Sequence, residues 1–212
     1  MIAIVVCAVN IEKHIIETFL KNHKGLDIFL TVEKGNKQQY ENVTTFWYDD
    51  TLFNIGKASN IAINSAIEKG YDIIVKSDID CILSKEVIAL ISKIKPNQGY
   101  CFRYWQVKDS EAESLKYAQI DPKIHGTVAL HSNDWKRLRG YDERLDGYGF
   151  DDYHMTSRAR KFGIIVPTLG DPRLYHISHP EKHNCKTTNP VRRVENRAYA
   201  KAEDWATYKE RS

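Results

Sequence analysis

The chain has no long hydrophobic run, no closely spaced cysteine pair, no Gly/Ser-rich linker and no internal repeat. Each absence closes off a class of protein. The opening apolar stretch, Ile2-Ala3-Ile4-Val5-Val6, is far shorter than the about 20 residues that a membrane-spanning helix needs. No targeting segment is visible either, so the sequence reads as a cytoplasmic protein without a transmembrane segment, beginning directly on its first strand. The four cysteines, Cys7, Cys81, Cys101 and Cys185, lie scattered, which favours packed, reduced thiols over a disulfide framework. Charge of neither sign dominates. A net charge of +3 permits an anionic ligand such as a nucleotide but does not argue for a broad nucleic-acid surface.

What is present is ordinary globular material, 212 residues with 42% hydrophobic and 28% charged. That is enough for one domain with a real core. Apolar runs at Ile2 to about Val9, Asp27 to Val32, Val43 to Tyr48 and Ile73 to Asp80 predict strands. Between them lie helical patterns, one carrying Ile11, Ile15, Phe19 and Leu20 behind a capping Asn10, the other carrying Ala58, Ile61, Ala62 and Ala66 and ending at Gly70. Ser84 is placed to cap a third helix that Pro96 stops. The alternation predicts an α/β fold with a mainly parallel sheet and helices on both faces. Further on, Gly99 to Val107 and Thr127 to His131 read as strands, the patternless stretch from Lys108 to Lys123 as a loop over a site, and Ser132 as the cap of a short helix ended by Gly140. A basic helix follows Pro190. The expected division of this single domain, 1–212, is a first half to about 107, a second from about 108 to 190 and the C-terminal helix from about 191 to 212.

Chemistry concentrates in three places. Ile73-Ile74-Val75-Lys76-Ser77-Asp78-Ile79-Asp80 reads as a buried strand that delivers two carboxylates at its carboxyl end, where ligands sit in open α/β sheets. Acids at i and i+2 share a side if the chain stays extended, so Asp78 and Asp80 could share one divalent cation. In Asp146-Gly147-Tyr148-Gly149-Phe150-Asp151-Asp152, the glycines let the backbone turn tightly around Tyr148, and the last two acids open a helix bearing Met155, Ala159 and Phe162. Acids there suit the helix dipole; they also suit a general base with an acceptor-binding neighbour, and Tyr148 would offer a flat face to a sugar or similar ring. Third, His176, His179 and His183 fall within eight residues. With Cys185 they could form a zinc site, but Pro180 makes closure awkward. One histidine joining Asp80 on a single cation is more economical, and mixed imidazole and carboxylate donors suit Mn²⁺.

In this order, Asp78-Ile79-Asp80, Arg139-Gly140-Tyr141-Asp142-Glu143, Gly147-Tyr148-Gly149-Phe150-Asp151-Asp152, then His179 and Asn189-Pro190, the sequence resembles the GT-A glycosyltransferases. The nearest branch is the β-1,4-galactosyltransferase C-terminal-like one, related to family 2. Phe53-Asn54-Ile55-Gly56-Lys57 is similar to that branch's nucleotide-side segment. The resemblance implies a GT-A, Rossmann-like fold whose first half takes the nucleotide sugar and whose second half takes the acceptor. It also implies an inverting transfer from a nucleoside-diphosphate sugar, a UDP-sugar in this branch, to a saccharide or other hydroxyl acceptor, with Mn²⁺ or Mg²⁺ as cofactor. By the same resemblance Asp80 and His179 ligate the metal, with His176 as the alternative ligand, and Asp78, Asn54 and Lys57 act on the donor. Asp152 is the base and Asp151 its acceptor-binding neighbour. The branch's Trp-Gly-Gly-Glu-Asp is Tyr-Gly-Phe-Asp-Asp here, which leaves donor and acceptor identity open. A sugar nucleotidylyltransferase would share the sheet and the acids, but it should carry a Gly-rich loop after strand one, where Ala8-Val9-Asn10-Ile11-Glu12 stands. A non-catalytic polyanion- or glycan-binding module would need neither acid pair.

Overall fold

Apolar runs and the turn residues between them set the element order in the computed structural model, which describes residues 1–8, 11–33, 39–49, 54–108, 119–147, 149–178 and 190–202. The elements are β1 (Ile2–Ala8), α1 (Lys13–Asn22), β2 (Asp27–Glu33), β3 (Val43–Tyr48), α2 (Ile55–Glu68), β4 (Ile73–Asp78), β5 (Cys81–Leu83) and α3 (Lys85–Ile91). They continue with β6 (Gly99–Lys108), β7 (Gln119–His131), α4 (Ser132–Leu138), α5 (Asp151–Lys161), β8 (Thr168–Ser178) and α6 (Pro190–Ala202).

The eight strands of the described residues join one sheet in the order β3-β2-β1-β4-β7-β6-β8-β5. The block β3-β2-β1-β4 is parallel, as the strand and helix alternation predicts. Beyond it the sheet becomes mixed, because β7 runs against both β4 and β6, and β5 against β8, while β6 and β8 are parallel. Successive β1 side chains go to opposite faces, and helices cover both. Ala3 and Val5 pack with Ala62, Trp135 and Met155 under α2, α4 and α5. Ile4 and Val6 pack with Ile16 and Phe19 of α1. On that second face α3 adds Val87 and Ile91 against Val75 and Phe102. No helix among the described residues is long and apolar enough to cross a membrane.

Several local expectations change. Ala58, Ala62 and Ala66 of α2 are buried as expected, but Ile61 is 36% exposed and Ile63 is the isoleucine that joins their face. Asn54 caps that helix by accepting from the Lys57 backbone N–H at 2.8 Å, and Ser84 caps α3 as expected. At α4, His131 is the capping residue in place of Ser132, its Nδ1 accepting from the Asn133 N–H at 3.1 Å. Part of the expected loop from Lys108 to Lys123 is strand, since β7 begins at Gln119, opposite Gln106 of β6. Backbone pairing with β6 overrides the charged, patternless side chains there. The end of α4 does need its glycine, because Gly140 has a φ of +68° and any Cβ would collide with Asn60. Asn10, Tyr148, His179, His183 and Cys185 lie outside the described residues.

One buried contact ties the first helix to the site region. His23, 1% exposed, donates from Nδ1 to the Phe19 carbonyl at 2.7 Å and accepts at Nε2 from the Leu83 N–H at 3.0 Å, which fixes a neutral ring. Burial holds its pKa down at about 4, against an ordinary 6.5. Between those values the unfolded chain is protonated and the native chain is not, so stability falls as pH drops through the window. The expected loss is on the order of 3 kcal/mol between pH 7 and pH 4. Urea unfolding across that range should show it, and His23→Gln should flatten this part of the profile; an unchanged slope would remove His23 as its source.

Candidate active site

The carboxyl end of β4 is where the sequence places its first acids, but the geometry differs from an extended pair. β4 stops at Asp78, and Ile79 and Asp80 form a turn into β5. The turn brings potential ligand atoms of Asp78, Asp80 and Cys81 within 4.8 Å of one another. β5 pairs with β8 so that Cys81 faces His176 in register, and the His176 Nε2 lies 3.4 Å from Asp80 Oδ2. The imidazole also stacks on Tyr104, with ring centroids 4.4 Å apart, which fixes its plane. Of the two histidines weighed as ligands, His176 is therefore beside Asp80, and His179 lies outside the described residues. Cys81 is fully buried. Burial and the adjacent Asp80 push its thiol well above the ordinary range, so carboxylate and imidazole are the better donors.

The second acid pair reaches the first from the other side of the sheet's end. Phe150, with a φ of 71°, precedes α5, and Asp151 and Asp152 occupy its first turn. Asp151 is buried and held by a backbone hydrogen bond at Gly149. Asp152 is 26% exposed, and its Oδ1 accepts from the Tyr141 hydroxyl at 3.3 Å. Burial and the neighbouring Asp151 raise its pKa to about 7.

Between the two pairs stands a residue to which the sequence reading gave no role. Lys76 points from β4 into this cluster with its side chain 1% exposed, placing Nζ 2.8 Å from Asp78 Oδ1 and 3.6 Å from Asp152 Oδ1. Its ammonium lies 5.8 Å from the centre of the Tyr141 ring. Burial alone would strip its proton, but Asp152 and Asp78 outweigh that and hold it well above the usual lysine range. The available signal was a lone lysine inside an otherwise apolar buried strand. Gly126 of β7 completes the arrangement, because a Cβ there would come within 2.7 Å of Asp152 Oδ2, 2.8 Å of Lys76 Nζ and 2.9 Å of Asp78 Oδ2. Three polar groups thus converge where a side chain is missing.

The remaining predicted residues frame this cluster. Asn54 is buried, donates to the Glu143 carbonyl at 2.6 Å and bridges to Gly147, so it joins α2 to the loop before the acid pair. Lys57 is exposed in the first turn of the same helix. Tyr148 lies outside the described residues. Asp142, between Tyr141 and that loop, accepts from Arg144 at 2.8 and 2.5 Å and from the Tyr199 hydroxyl at 2.9 Å, which ties α6 onto the site's outer wall.

No protein-family model matches the chain, and no curated protein matches it by sequence. Solved structures do match in shape. A catalytic domain of Drosophila β1,4-galactosyltransferase 7, in complex with xylobiose, aligns at a TM-score of 0.60 and 17% identity over 96% of this chain and 80% of that one. GalNAc-T7 with UDP, GalNAc and Mn²⁺ aligns at 0.70 and 13% over 99% of this chain, which spans about half (49%) of that structure. A protein from Bacillus anthracis described as a glucose-1-phosphate thymidylyltransferase, in complex with a sucrose, aligns at 0.53 and 12% identity over 97% of both chains. Identities this low speak to architecture alone, and the architecture shared with the two transferases gives the chain the GT-A glycosyltransferase fold.

Proposed function

We propose that the protein is a metal-dependent, inverting glycosyltransferase that moves a sugar from a nucleoside-diphosphate sugar, a UDP-sugar, to a hydroxyl acceptor such as a saccharide. One observation carries the reading: an acid cluster with an imidazole at the strand end, Asp78, Asp80 and His176, lies one lysine away from a second acid, Asp152, whose pKa of about 7 suits a general base.

The donor set fits a divalent cation. Asp80 would hold it with one imidazole, that of His176 or, as the resemblance implies, that of His179, and Asp78 would act next to Asp80, an oxygen and nitrogen set of the kind Mn²⁺ or Mg²⁺ accepts. Lys76 is a single positive charge among Asp78, Asp151 and Asp152, so the cluster has negative charge in excess before any ligand arrives. Bound there, the cation would neutralise the diphosphate and stabilise it as leaving group. GalNAc-T7, which shares the fold, is a complex with UDP and Mn²⁺. On the acceptor side, Asp152 takes the proton of the attacking hydroxyl as its oxygen bonds to the anomeric carbon. The bond from that carbon to the diphosphate breaks on the opposite face, and its electron pair leaves with the nucleoside diphosphate. Asp151 sits beside the base as the neighbour on the acceptor side, Tyr148 would offer its ring to the sugar, and Asn54 and Lys57 belong to the nucleotide-side half. Unbridged thiols at Cys7, Cys81 and Cys101 support a cytoplasmic location.

Thermal melting with UDP and Mn²⁺ tests the reading directly. Ligand at about 100 times its dissociation constant should add about 2.7 kcal/mol to stability, and chelation should abolish the gain. Asp80→Ala should lose the effect entirely, since the diphosphate would then face the acids without its cation. Unchanged Mn²⁺-dependent UDP binding by Asp80→Ala would take Asp80 out of the site. The shape match to a thymidylyltransferase keeps a second reading, nucleotidyl transfer to a sugar 1-phosphate. Pyrophosphate release from a nucleoside triphosphate and a sugar 1-phosphate would favour it; release of a nucleoside diphosphate from a nucleotide sugar favours the first.

A further inference from the structure

Lys76 is poorly explained as packing. Its strand neighbours Ile73, Ile74 and Val75 are buried and apolar, and an unbranched apolar side chain would fill the same column without bringing a charge into the interior. What the lysine adds is a link. The same ammonium contacts Asp78, at the end of β4, and Asp152, at the start of α5, two acids 74 positions apart in sequence and assigned to the two different substrates. The antiparallel register that sets Lys76 against Val128 carries Gly126 toward Asp78, and the missing Cβ there opens the space in which the three groups meet. Both acids turn the same way in it. Each directs Oδ1 to the lysine, and each has Oδ2 within 2.9 Å of the point a Cβ on Gly126 would occupy. Among the described residues, the Tyr141 hydroxyl adds a second hold on Oδ1 of Asp152.

We infer that Lys76 is a positioning residue for sugar transfer: its ammonium ties the donor-side acid Asp78 to the acceptor-side acid Asp152, fixing their separation over the Gly126 notch and leaving Oδ2 of Asp152 to take the acceptor's proton. The inference rests on the glycosyltransferase reading. It assigns Lys76 no contact with substrate, because its side chain is 1% exposed while the two carboxylates above it are 30% and 26% exposed. The lysine forms the floor, and the acids form the wall that substrates meet. Loss of this floor would free Asp152 to rotate and relax its distance from the donor. Such a change falls on turnover, which depends on alignment in the transition state, more than on donor affinity.

The test uses Lys76→Met, which keeps an unbranched buried chain one atom shorter, and Lys76→Gln, which keeps a hydrogen-bond donor without the charge and serves if the methionine variant does not fold. Each is compared with the wild type in steady-state transfer and, independently of turnover, in Mn²⁺-dependent UDP binding by calorimetry. The expected result for either is a kcat lower by about 100-fold, with donor KM and UDP affinity held within about 3-fold. Either variant turning over at the wild-type rate overturns the inference and leaves the glycosyltransferase reading standing. A variant that loses UDP binding and keeps its residual kcat also overturns it, because the lysine would then serve the donor alone. A wild-type chain that binds no nucleotide and transfers from no nucleotide sugar overturns the reading itself, and the assignment built on it.

Discussion

Asp152→Asn should transfer sugar about 10² to 10⁴ times more slowly than the wild type, the range that general-base removal sets, while binding UDP and Mn²⁺ nearly unchanged. Asparagine keeps the shape of the side chain and its contact with Tyr141, so what it removes is the ability to take a proton. The wild-type profile should carry the same signature. Asp152 titrates at about 7, so kcat/KM should fall below that pH as the base becomes protonated, and the limb should vanish in Asp152→Asn along with the activity. Stability runs the other way. Between its ordinary 3.8 and about 7 the native state keeps a proton that the unfolded chain has released, so this group's contribution to stability falls as pH rises through that window. The asparagine variant should therefore melt no lower than the wild type at pH 8. Near-normal transfer by Asp152→Asn, with whichever donor the wild type uses, would place the base elsewhere.

How much of this was legible in the chain differs by physical cause. Apart from the short β5, strand and helix order in the first half followed from apolar periodicity, and β3 was read to the residue because Asp49 follows its last aromatic. The second half was harder. β7 begins among charged residues because a ladder is held by backbone bonds that leave no mark in side-chain pattern. The acids were recognisable as types in a suggestive order, yet the pairing of Asp78 with Asp80 was expected from an extended strand and is made by a turn. Lys76 and Gly126 were invisible as a pair. One is a charge in an apolar run, the other a glycine in a strand, and only the β4–β7 register shows that they answer each other. His176 was one of several histidines until the β5–β8 pairing placed it against Asp80.

The register also supplies the most demanding test, at a residue with no side chain. Gly126→Ala introduces a Cβ within 2.7 to 2.9 Å of Asp152 Oδ2, Lys76 Nζ and Asp78 Oδ2, closer than carbon and a polar atom can sit. All three atoms are the ends of side chains, but none can swing away cheaply: the lysine is buried, and each carboxylate is held by the lysine. The methyl should wedge the cluster open, with an overpacking loss of about 1 to 3 kcal/mol in stability. A displacement of about 1 Å at reacting groups costs on the order of 10² in rate, so transfer should collapse to a similar degree as in Lys76→Met. A double-mutant cycle separates the wedge from a general loosening of β7. Methionine ends one atom short of the lysine ammonium, so in the Lys76→Met background the added methyl has one fewer neighbour to displace, and Gly126→Ala should cost less stability than it does in the wild type. Purely additive effects on unfolding free energy, or wild-type turnover by Gly126→Ala alone, would mean that the notch does not hold the three groups together.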